Sequence, residues 1–264
     1  MLAMSELVQY ERDGRIVVLR LNRPEKLNAF SDEMVMALGE QMRRFDADPE
    51  AHVGVLCGGG RAFSSGADVA QRQLRPREEL ERFGGPQAHG AKAGDLFIDS
   101  VNWKPVITVV HGYVLGLALG LMLDSDLVIA ETGTQMQVTE LSRGLGGARY
   151  WATMQFRNAA AFGTELALTG RYFSAEEAYE HGLVNKLVEP GEGLEVAMEM
   201  AREIAQNPPL SVRSTVRTRR WKLKQVLDEA AMQQSALRLY LTDDFQEAAR
   251  ARTERRDPNS FEGG

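Results

Sequence analysis

Residues 105–140, PVITVVHGYVLGLALGLMLDSDLVIAETGTQMQVTE, decide the fold of this chain. The β-branched run at 106–110 predicts a buried strand, because branched side chains pack well on a pleated surface. A glycine turn follows, and residues 115–123 are apolar on almost every face, which predicts a helix inside the core. Residues 127–130 predict a second short strand. Strand, turn and buried helix together place the amides of a helix N-terminus at a sheet edge, where they can stabilise negative charge on an oxygen.

The same stretch raises one alternative that has to be weighed. Residues 106–123 carry no formal charge when the histidine is neutral, and they are long enough to suggest a membrane span. Pro105 precedes the run, a histidine and three glycines interrupt it, Asp124 and Asp126 follow it, and no second apolar span exists. We therefore predict a soluble core segment. Gly116 and Gly120 fall on one side of the predicted helix, where another backbone or a ligand can come close.

Composition places the chain among soluble globular proteins. It has 264 residues, 44% of them hydrophobic and 26% charged, which predicts one large domain or one and a half. The net charge of −6 suggests neither general nucleic-acid binding nor a membrane surface. The single cysteine, Cys57, excludes an internal disulfide and closes an apolar run, so a buried thiol is expected. The first residues lack the pattern of a secretory signal, and a cytoplasmic protein is the default expectation.

Strands and helices alternate over the first two-thirds of the chain, and the last third is mainly helical. This order predicts an α/β core with parallel strands. Ser31 is the expected N-cap of a helix that ends near Phe45, and Ser174 with Glu177 forms a capping box. The helical tail is expected to act as a lid or an oligomerisation element. The remaining predictions are strands at 7–11, 16–21, 53–57 and 183–188, one or two helices at 151–168, and helices at 194–206, 210–220 and 222–252, the last broken near Thr242.

Several kinds of site are disfavoured by the local sequence. Residues 58–61 follow a strand and are rich in glycine, but the Lys-Ser/Thr ending of a phosphate loop is absent, and there is no GxGxxG fingerprint. No nucleophile-elbow pattern surrounds Ser64 or Ser65, so a serine hydrolase is not expected. The polar segment 71–102 resembles the flexible segments that often lie near ligand sites. The histidines show no metal-ligand spacing, and a structural role is expected for His111: His52, His89, His111 and His181.

Two features could carry chemistry. Residues 64–68 form a turn of small residues after a strand, so backbone N–H groups there can face a ligand. Glu140 lies next to apolar residues and could be a buried carboxylate with a raised pKa, as a general acid or base requires. Local sequence alone favours instead a solvated glutamate, or one that is paired with Arg143.

Three segments in this order and spacing resemble the crotonase superfamily, the enoyl-CoA hydratase/isomerase family. They are residues 21–30 (LNRPEKLNAF), residues 62–68 (AFSSGAD), and the stretch from His111 to Asp126 together with Glu140. A later segment, residues 172–185, is also similar to the family. The resemblance implies a spiral of ββα units followed by a helical region, assembled as a homotrimer or a homohexamer. It implies an acyl-CoA-binding core over residues 1–200 and a lid or oligomerisation region over residues 201–264.

The resemblance also implies the site residues. The substrate would be a CoA thioester, with no further cofactor and no metal. The backbone amides of Ala67 and Leu117 would form an oxyanion hole, and Glu140 would be the acid/base residue. The residues implied for substrate and CoA binding are Lys26, Leu27, Arg61, Ala62, Ser64, Ser65, Gly66, Ala67, Asp68 and Gly116.

The chain departs from the family pattern at one position. Hydratases of this family use two glutamates, and the first of them falls on Gly120, which cannot transfer a proton. Either double-bond isomerisation or a specialised hydration is therefore expected. A hydrolase or C–C lyase on the same scaffold, and a CoA-binding protein without turnover, are the alternatives. A local basic cluster is interpreted as a solvated helix face, or as a contact to a CoA phosphate from a neighbouring subunit: Arg213, Arg217, Arg219, Arg220, Lys222 and Lys224.

Overall fold

The computed structural model describes residues 4–86 and 100–263. The strands in this part of the chain are β1 (Val8–Asp13), β2 (Ile16–Leu21), β3 (Val53–Gly58), β4 (Val106–Val110), β5 (Tyr113–Leu115), β6 (Leu127–Glu131), β7 (Gln135–Gln137), β8 (Tyr172–Ser174) and β9 (Lys186–Val188). The α-helices are α1 (Met4–Leu7), α2 (Asp32–Ala47), α3 (Val69–Arg72), α4 (Arg77–Phe83), α5 (Leu117–Asp124), α6 (Ala148–Phe156), α7 (Ala160–Thr169), α8 (Ala175–Glu180), α9 (Gly193–Ala205), α10 (Pro209–Ser235) and α11 (Asp243–Glu254).

The larger sheet confirms the predicted α/β core. Its strand order is β1-β2-β3-β4-β6-β9. The first pair is an antiparallel hairpin that turns at Asp13-Gly14, a dipeptide typical of such turns, and every other pair is parallel. Since parallel neighbours need crossover connections, the segments between these strands pass over the faces of the sheet.

Each face of this sheet is covered by a separate layer of apolar side chains. In β2, Val17 and Leu19 point into the larger core, which also receives side chains from α2 and α5, while Ile16 and Val18 point to the opposite face. Helix α9 covers that second face with side chains such as Ala197. Alternate side chains of one strand therefore serve two cores, which explains why β2 is almost continuously apolar.

The decisive stretch differs from its prediction in one detail. The predicted helix at 115–123 begins instead at Leu117, because the chain first forms β5. This strand pairs in parallel with β7, and its Val114 also bridges to Ser64. Such pairing with distant segments cannot be deduced from local hydropathy. Its effect is to bring the start of α5 next to the loop that contains Ser64.

The C-terminal helices correct the interpretation of the basic cluster for Arg219 and Arg220, whereas Arg217, Lys222 and Lys224 are exposed as expected. Residues 210–220 and part of 222–252 form the single helix α10, so the predicted interruption near residue 221 is wrong, while the break near Thr242 is confirmed. Arg220 is 1% exposed and ion-paired with Asp126, which also pairs with Arg219 at 3.2 Å. These two arginines hold α10 against the end of α5, so they do not belong to a solvated face.

Among residues 4–86 and 100–263, no helix has both the length and the apolar character needed to span a bilayer. Residues 87–99 of the polar segment 71–102, which include His89, lie outside the described residues.

Candidate active site

The loop at 64–68 lies directly against the start of α5. A Cβ atom placed on Gly66 would be 2.4 Å from the carbonyl oxygen of Leu115 and 3.7 Å from the amide nitrogen of Leu117. Real Cβ atoms do not approach a carbonyl oxygen so closely, so only glycine allows this contact. The amides of the loop and of the helix N-terminus are therefore close neighbours.

The orientation of the Ala67 amide follows from its pairing. Phe30 donates its N–H to the carbonyl of Gly66 at 2.8 Å and accepts from the N–H of Asp68 at 3.0 Å. Because successive amides of an extended chain point to opposite sides, the N–H of Ala67 is directed away from Phe30. Ala67 and Leu117 both line one cleft of the described chain.

Asn28 fixes the geometry of this region, a role that the sequence did not reveal. It is fully buried and adopts a left-handed backbone conformation with φ 52°. Its side-chain nitrogen lies within 2.8–3.1 Å of the carbonyl oxygens of Gly59, Ala62 and Phe63, and its own carbonyl accepts from Ser64 Oγ at 2.8 Å. One asparagine thus connects two loops that flank the cleft, and the hydroxyl of Ser64 is used structurally.

Glu140 presents one carboxylate oxygen without a partner. It immediately precedes the short 3-10 turn Leu141–Arg143. Oε1 accepts a hydrogen bond from the phenol of Tyr150, whereas Oε2 is buried and has no hydrogen-bond partner. Burial raises the pKa of Glu140, and the hydrogen bond from Tyr150 acts in the opposite direction. The alternative of a solvated glutamate or an ion pair with Arg143 is wrong, because the hydrogen bond goes to Tyr150 and the carboxylate is removed from water.

Glu140 is also close to the helix start. A Cβ on Gly116 would lie 3.3 Å from Glu140 Oε1 and only 2.3 Å from Thr139 Oγ1. Gly116 has a φ of +50°, a conformation that favours glycine. The carboxylate and the amide of the following residue, Leu117, therefore belong to the same small region of the cleft.

Tyr150 occupies the surroundings of Gly120, the position without a second glutamate. It extends from α6, is 5% exposed, and its ring and hydroxyl lie 3.6 and 3.7 Å from where a Cβ on Gly120 would be. Burial, followed by the charge of Glu140, raises the pKa of Tyr150 well above its usual value, so the phenol remains a proton donor in this contact. No local pattern predicts the pairing of Tyr150 with Glu140, since Tyr150 follows an irregular glycine-rich loop.

These groups share one cleft with a volume of about 620 Å³. Of the residues predicted for the site, Ala67, Leu117 and Glu140 line it, and Gly120 and Tyr150 lie beside them. The C-terminal part of α10 contributes another wall. Arg72 and Gln73, at the end of α3, also line the cleft, and neither was predicted as a site residue.

The other residues predicted for CoA binding lie outside the lining of this cleft. Lys26 and Arg61 are exposed on adjacent loops, which Gly60 joins by packing against Pro24. Asp68 pairs with Arg23 at 3.1 Å and caps α3. The remaining residues of the predicted set are distributed over the same two loops and the start of α5: Leu27, Ala62, Ser64, Ser65, Gly66 and Gly116.

His111 has the structural role that was expected of it. Its Nε2 atom lies 3.0 Å from the carbonyl oxygen of Gly60. The contact connects the turn after β4 to the glycine-rich loop after β3, on the side where Lys26 and Arg61 are exposed.

Comparison with known proteins agrees with this geometry. Residues 11–263 match the family described as enoyl-CoA hydratase/isomerase. A putative enoyl-CoA hydratase of Thermus thermophilus is 34% identical over 212 residues, which cover 79% of this chain and 81% of the relative. A carnitinyl-CoA dehydratase of Salmonella heidelberg is 30% identical, with 97% of this chain and 98% of the relative covered. The solved structure of EchA1_1 from Mycobacterium paratuberculosis has a TM-score of 0.79 and 29% identity, covering 97% of this chain and 98% of that one.

The fold and the extent of these matches define an acyl-CoA enzyme with the crotonase fold. The chain belongs to the enoyl-CoA hydratase/isomerase family, as its sequence motifs indicate.

Proposed function

We propose that this enzyme adds water to the double bond of a 2-enoyl-CoA, or removes water in the reverse direction, through a thioester enolate. The observation that carries the proposal is the buried, unpartnered Oε2 of Glu140, in the same cleft as the amides of Ala67 and Leu117. The relatives described above are named as a hydratase and a dehydratase, which supports this direction of chemistry.

The backbone amides would stabilise the charge that develops during the reaction. Attack of water on the β-carbon moves electrons onto the thioester oxygen, and two preorganised N–H donors lower the free energy of that oxyanion by several kcal/mol. The N–H of Leu117 is also the first of helix α5, so the partial positive charge of the helix terminus adds to the effect. Because the donors are backbone groups, a leucine at position 117 is compatible with this role.

Glu140 would carry both proton transfers. Its Oε2 accepts a proton from water as the hydroxyl oxygen bonds to the β-carbon, and then delivers that proton to the α-carbon of the enolate. One molecule of water is consumed and the carboxylate is regenerated. The raised pKa suits this exchange, because acid and base forms then lie closer to the working pH. Tyr150 acts as a positioning residue that holds Oε1 and leaves Oε2 directed at the substrate.

Double-bond isomerisation is the second candidate, and the glycine at position 120 favours it. Isomerisation needs only one base, which removes a proton from one carbon and returns it to another. We propose that either reaction requires no cofactor beyond the CoA thioester itself. Lys26 and Arg61, exposed on their adjacent loops, carry the positive charge that the CoA phosphates would meet.

A product assay by mass spectrometry tests the proposal. The protein is incubated with a 2-enoyl-CoA and separately with a 3-enoyl-CoA in isotopically labelled water, beside Glu140→Gln. A gain of one water by the 2-enoyl substrate, lost in the variant, is the expected result. Conversion of the 3-enoyl substrate without added water would establish isomerisation instead, and release of free CoA would indicate hydrolysis.

The Gln side chain at position 140 keeps the size of Glu and can still accept from Tyr150. Loss of turnover would therefore report proton transfer, provided that the thermal unfolding transition is retained. General acid–base catalysis contributes a factor of about 10²–10⁴. Turnover by Glu140→Gln within tenfold of the parent enzyme would contradict the role of Glu140.

We also propose assembly into trimers or pairs of trimers. Large apolar side chains remain exposed in the single chain, including Leu168 (74% exposed), Leu210 (75%) and Met232 (65%). Burial of such groups between subunits would stabilise an oligomer. Light scattering coupled to size exclusion gives the mass directly, and a monomer at micromolar concentration would refute the assembly.

A further inference from the structure

Arg72 is a buried cation whose hydrogen-bonding capacity is largely unused. It ends helix α3, is 2% exposed, and lines the same cleft as Ala67 and Glu140. One terminal nitrogen, Nη2, donates to the carbonyl oxygen of Pro86 at 2.9 Å. The other two nitrogens, Nε and Nη1, are buried without a hydrogen-bond partner in the described chain. Buried donors of this kind are rare in native proteins and need a specific explanation.

The neighbouring carboxylates do not supply the missing partner. Asp32 lies 3.8 Å from Arg72 Nε, which is too long for a hydrogen bond, and instead accepts directly from Arg75 Nη2. Asp68 pairs with Arg23 at 3.1 Å. Asp32 is thus shared between a hydrogen bond from Arg75 and a longer ion pair with Arg72, and Asp68 pairs with Arg23. Neither carboxylate accepts a hydrogen bond from Arg72 Nε or Nη1, and these N–H groups are left for another acceptor.

A second unpartnered group adjoins the first. Gln73 also lines the cleft, and its side-chain oxygen is buried without a hydrogen-bond partner. Both residues line the same cleft as Ala67, which the acyl chain of a thioester bound at Ala67 would enter. A buried cation with free N–H groups at this place fits an anionic acceptor carried by the acyl group.

We propose that Arg72 binds a carboxylate on the acyl group, so that the substrates are CoA thioesters of dicarboxylic acids. The inference rests on the proposed function, because it assumes that an acyl chain occupies this cleft. Binding would give Nη1 its missing acceptor. It would also give the enzyme a selectivity that a purely apolar cleft lacks, since leaving a buried charged donor unpaired penalises a neutral chain.

The test compares binding of freshly prepared saturated thioesters, which lack the double bond that the proposed reaction requires. Dissociation constants are measured by calorimetry for succinyl-, glutaryl- and adipoyl-CoA, each beside its monocarboxylic counterpart, butyryl-, valeryl- or hexanoyl-CoA. The expected result is at least a tenfold preference for the dicarboxylic member of one pair. Arg72→Gln should abolish this preference. Arg238→Gln, which removes an exposed cation from the same cleft wall, should leave it in place.

Arg72→Lys provides a second variant in case Arg72→Gln does not fold. It retains the charge but replaces the planar fork by a single ammonium group, so a reduced preference is expected. Equal affinities within all three pairs would overturn the proposal. An equal loss of preference in Arg72→Gln and Arg238→Gln would also overturn it, because the effect would then be one of overall charge.

A measurement of turnover distinguishes an incorrect role of Arg72 from an incorrect proposed function. The 2-enoyl forms of the same acyl groups are assayed for gain of water. A carboxylate preference in binding without any turnover would support the role of Arg72 and refute the proposed chemistry. Turnover of neutral and carboxylated chains with equal kcat/KM would support the chemistry and refute the role of Arg72.

Discussion

Replacement of Tyr150 by phenylalanine should change how the activity depends on pH. The phenol donates to Glu140 Oε1, and both groups are largely removed from water. Burial raises the pKa of Glu140, while this hydrogen bond favours the ionised form and opposes the rise. Tyr150→Phe removes only the donor, so the pKa of Glu140 should increase further. A carboxylate that serves as a base works only when ionised, and the variant should therefore need a higher pH for full activity.

The size of the effect follows from the type of hydrogen bond. A hydrogen bond to a charged group contributes about 1.5–3 kcal/mol. A free-energy difference of 1.4 kcal/mol corresponds to a factor of ten. On the acidic limb of the profile, where Glu140 is mostly protonated, its ionised fraction should therefore be about ten- to a hundredfold lower in Tyr150→Phe than in the parent enzyme. The difference in kcat/KM between the variant and the parent enzyme should become smaller as the pH rises, because Glu140 is then ionised in both proteins.

The assay is kcat/KM for the accepted enoyl-CoA across the pH range, with Tyr179→Phe as a control at an exposed tyrosine. Glu140→Gln should show a loss that is the same at every pH. A loss in Tyr150→Phe that is likewise independent of pH would refute the reasoning, since Tyr150 would then act by donating its own proton or by alignment alone. An unchanged profile would show that the contact does not affect ionisation of Glu140.

Three further predictions concern stability and reactivity. Asn28→Ala leaves the buried carbonyls around it without their donor, so the free energy of unfolding by urea should fall by about 3 kcal/mol or more. Gly116→Ala forces a Cβ against Thr139 at a positive φ, and a loss of at least about 2 kcal/mol is expected in the same assay. Burial raises the pKa of Cys57 to about 11, so iodoacetamide at pH 8 should modify the unfolded protein and spare the native one. Unchanged unfolding curves, or rapid native alkylation, would contradict the corresponding structural assignment.

Local signals predicted much of the fold. The Ser31 cap and the capping box of Ser174 with Glu177 are both formed as expected, because each depends on side chains within four residues of a helix start. The buried strand before Gly112 and the burial of Cys57 also follow from short-range hydropathy. The sequence could not predict where α5 begins, since β5 is formed by pairing with distant strands.

The partners of buried polar side chains could not be predicted either, because they too are distant in the sequence. Arg220 belongs to a run of basic residues that suggested a solvated surface, yet its partner Asp126 lies 94 residues earlier in the chain. Likewise, Tyr150 and Glu140 are separated by an irregular loop, and no periodic pattern connects them. Ion pairs and buried hydrogen bonds depend on the final packing, so composition alone favours the solvated alternative for most charged residues.

The contrast between Ala67 and Arg72, only five positions apart, shows which parts of this site a sequence can reveal. The oxyanion donors that we propose at Ala67 and Leu117 are backbone groups, and they need small residues and tight turns that leave a visible pattern in the chain. Arg72 lies in a polar segment that resembles an exposed, variable one, and only the structure shows that its guanidinium is buried with unused donors. In the proposed mechanism, therefore, the oxyanion contacts follow from backbone geometry that a sequence pattern can reveal, whereas the proposed selectivity for the acyl group depends on a side chain whose burial is set by the whole fold.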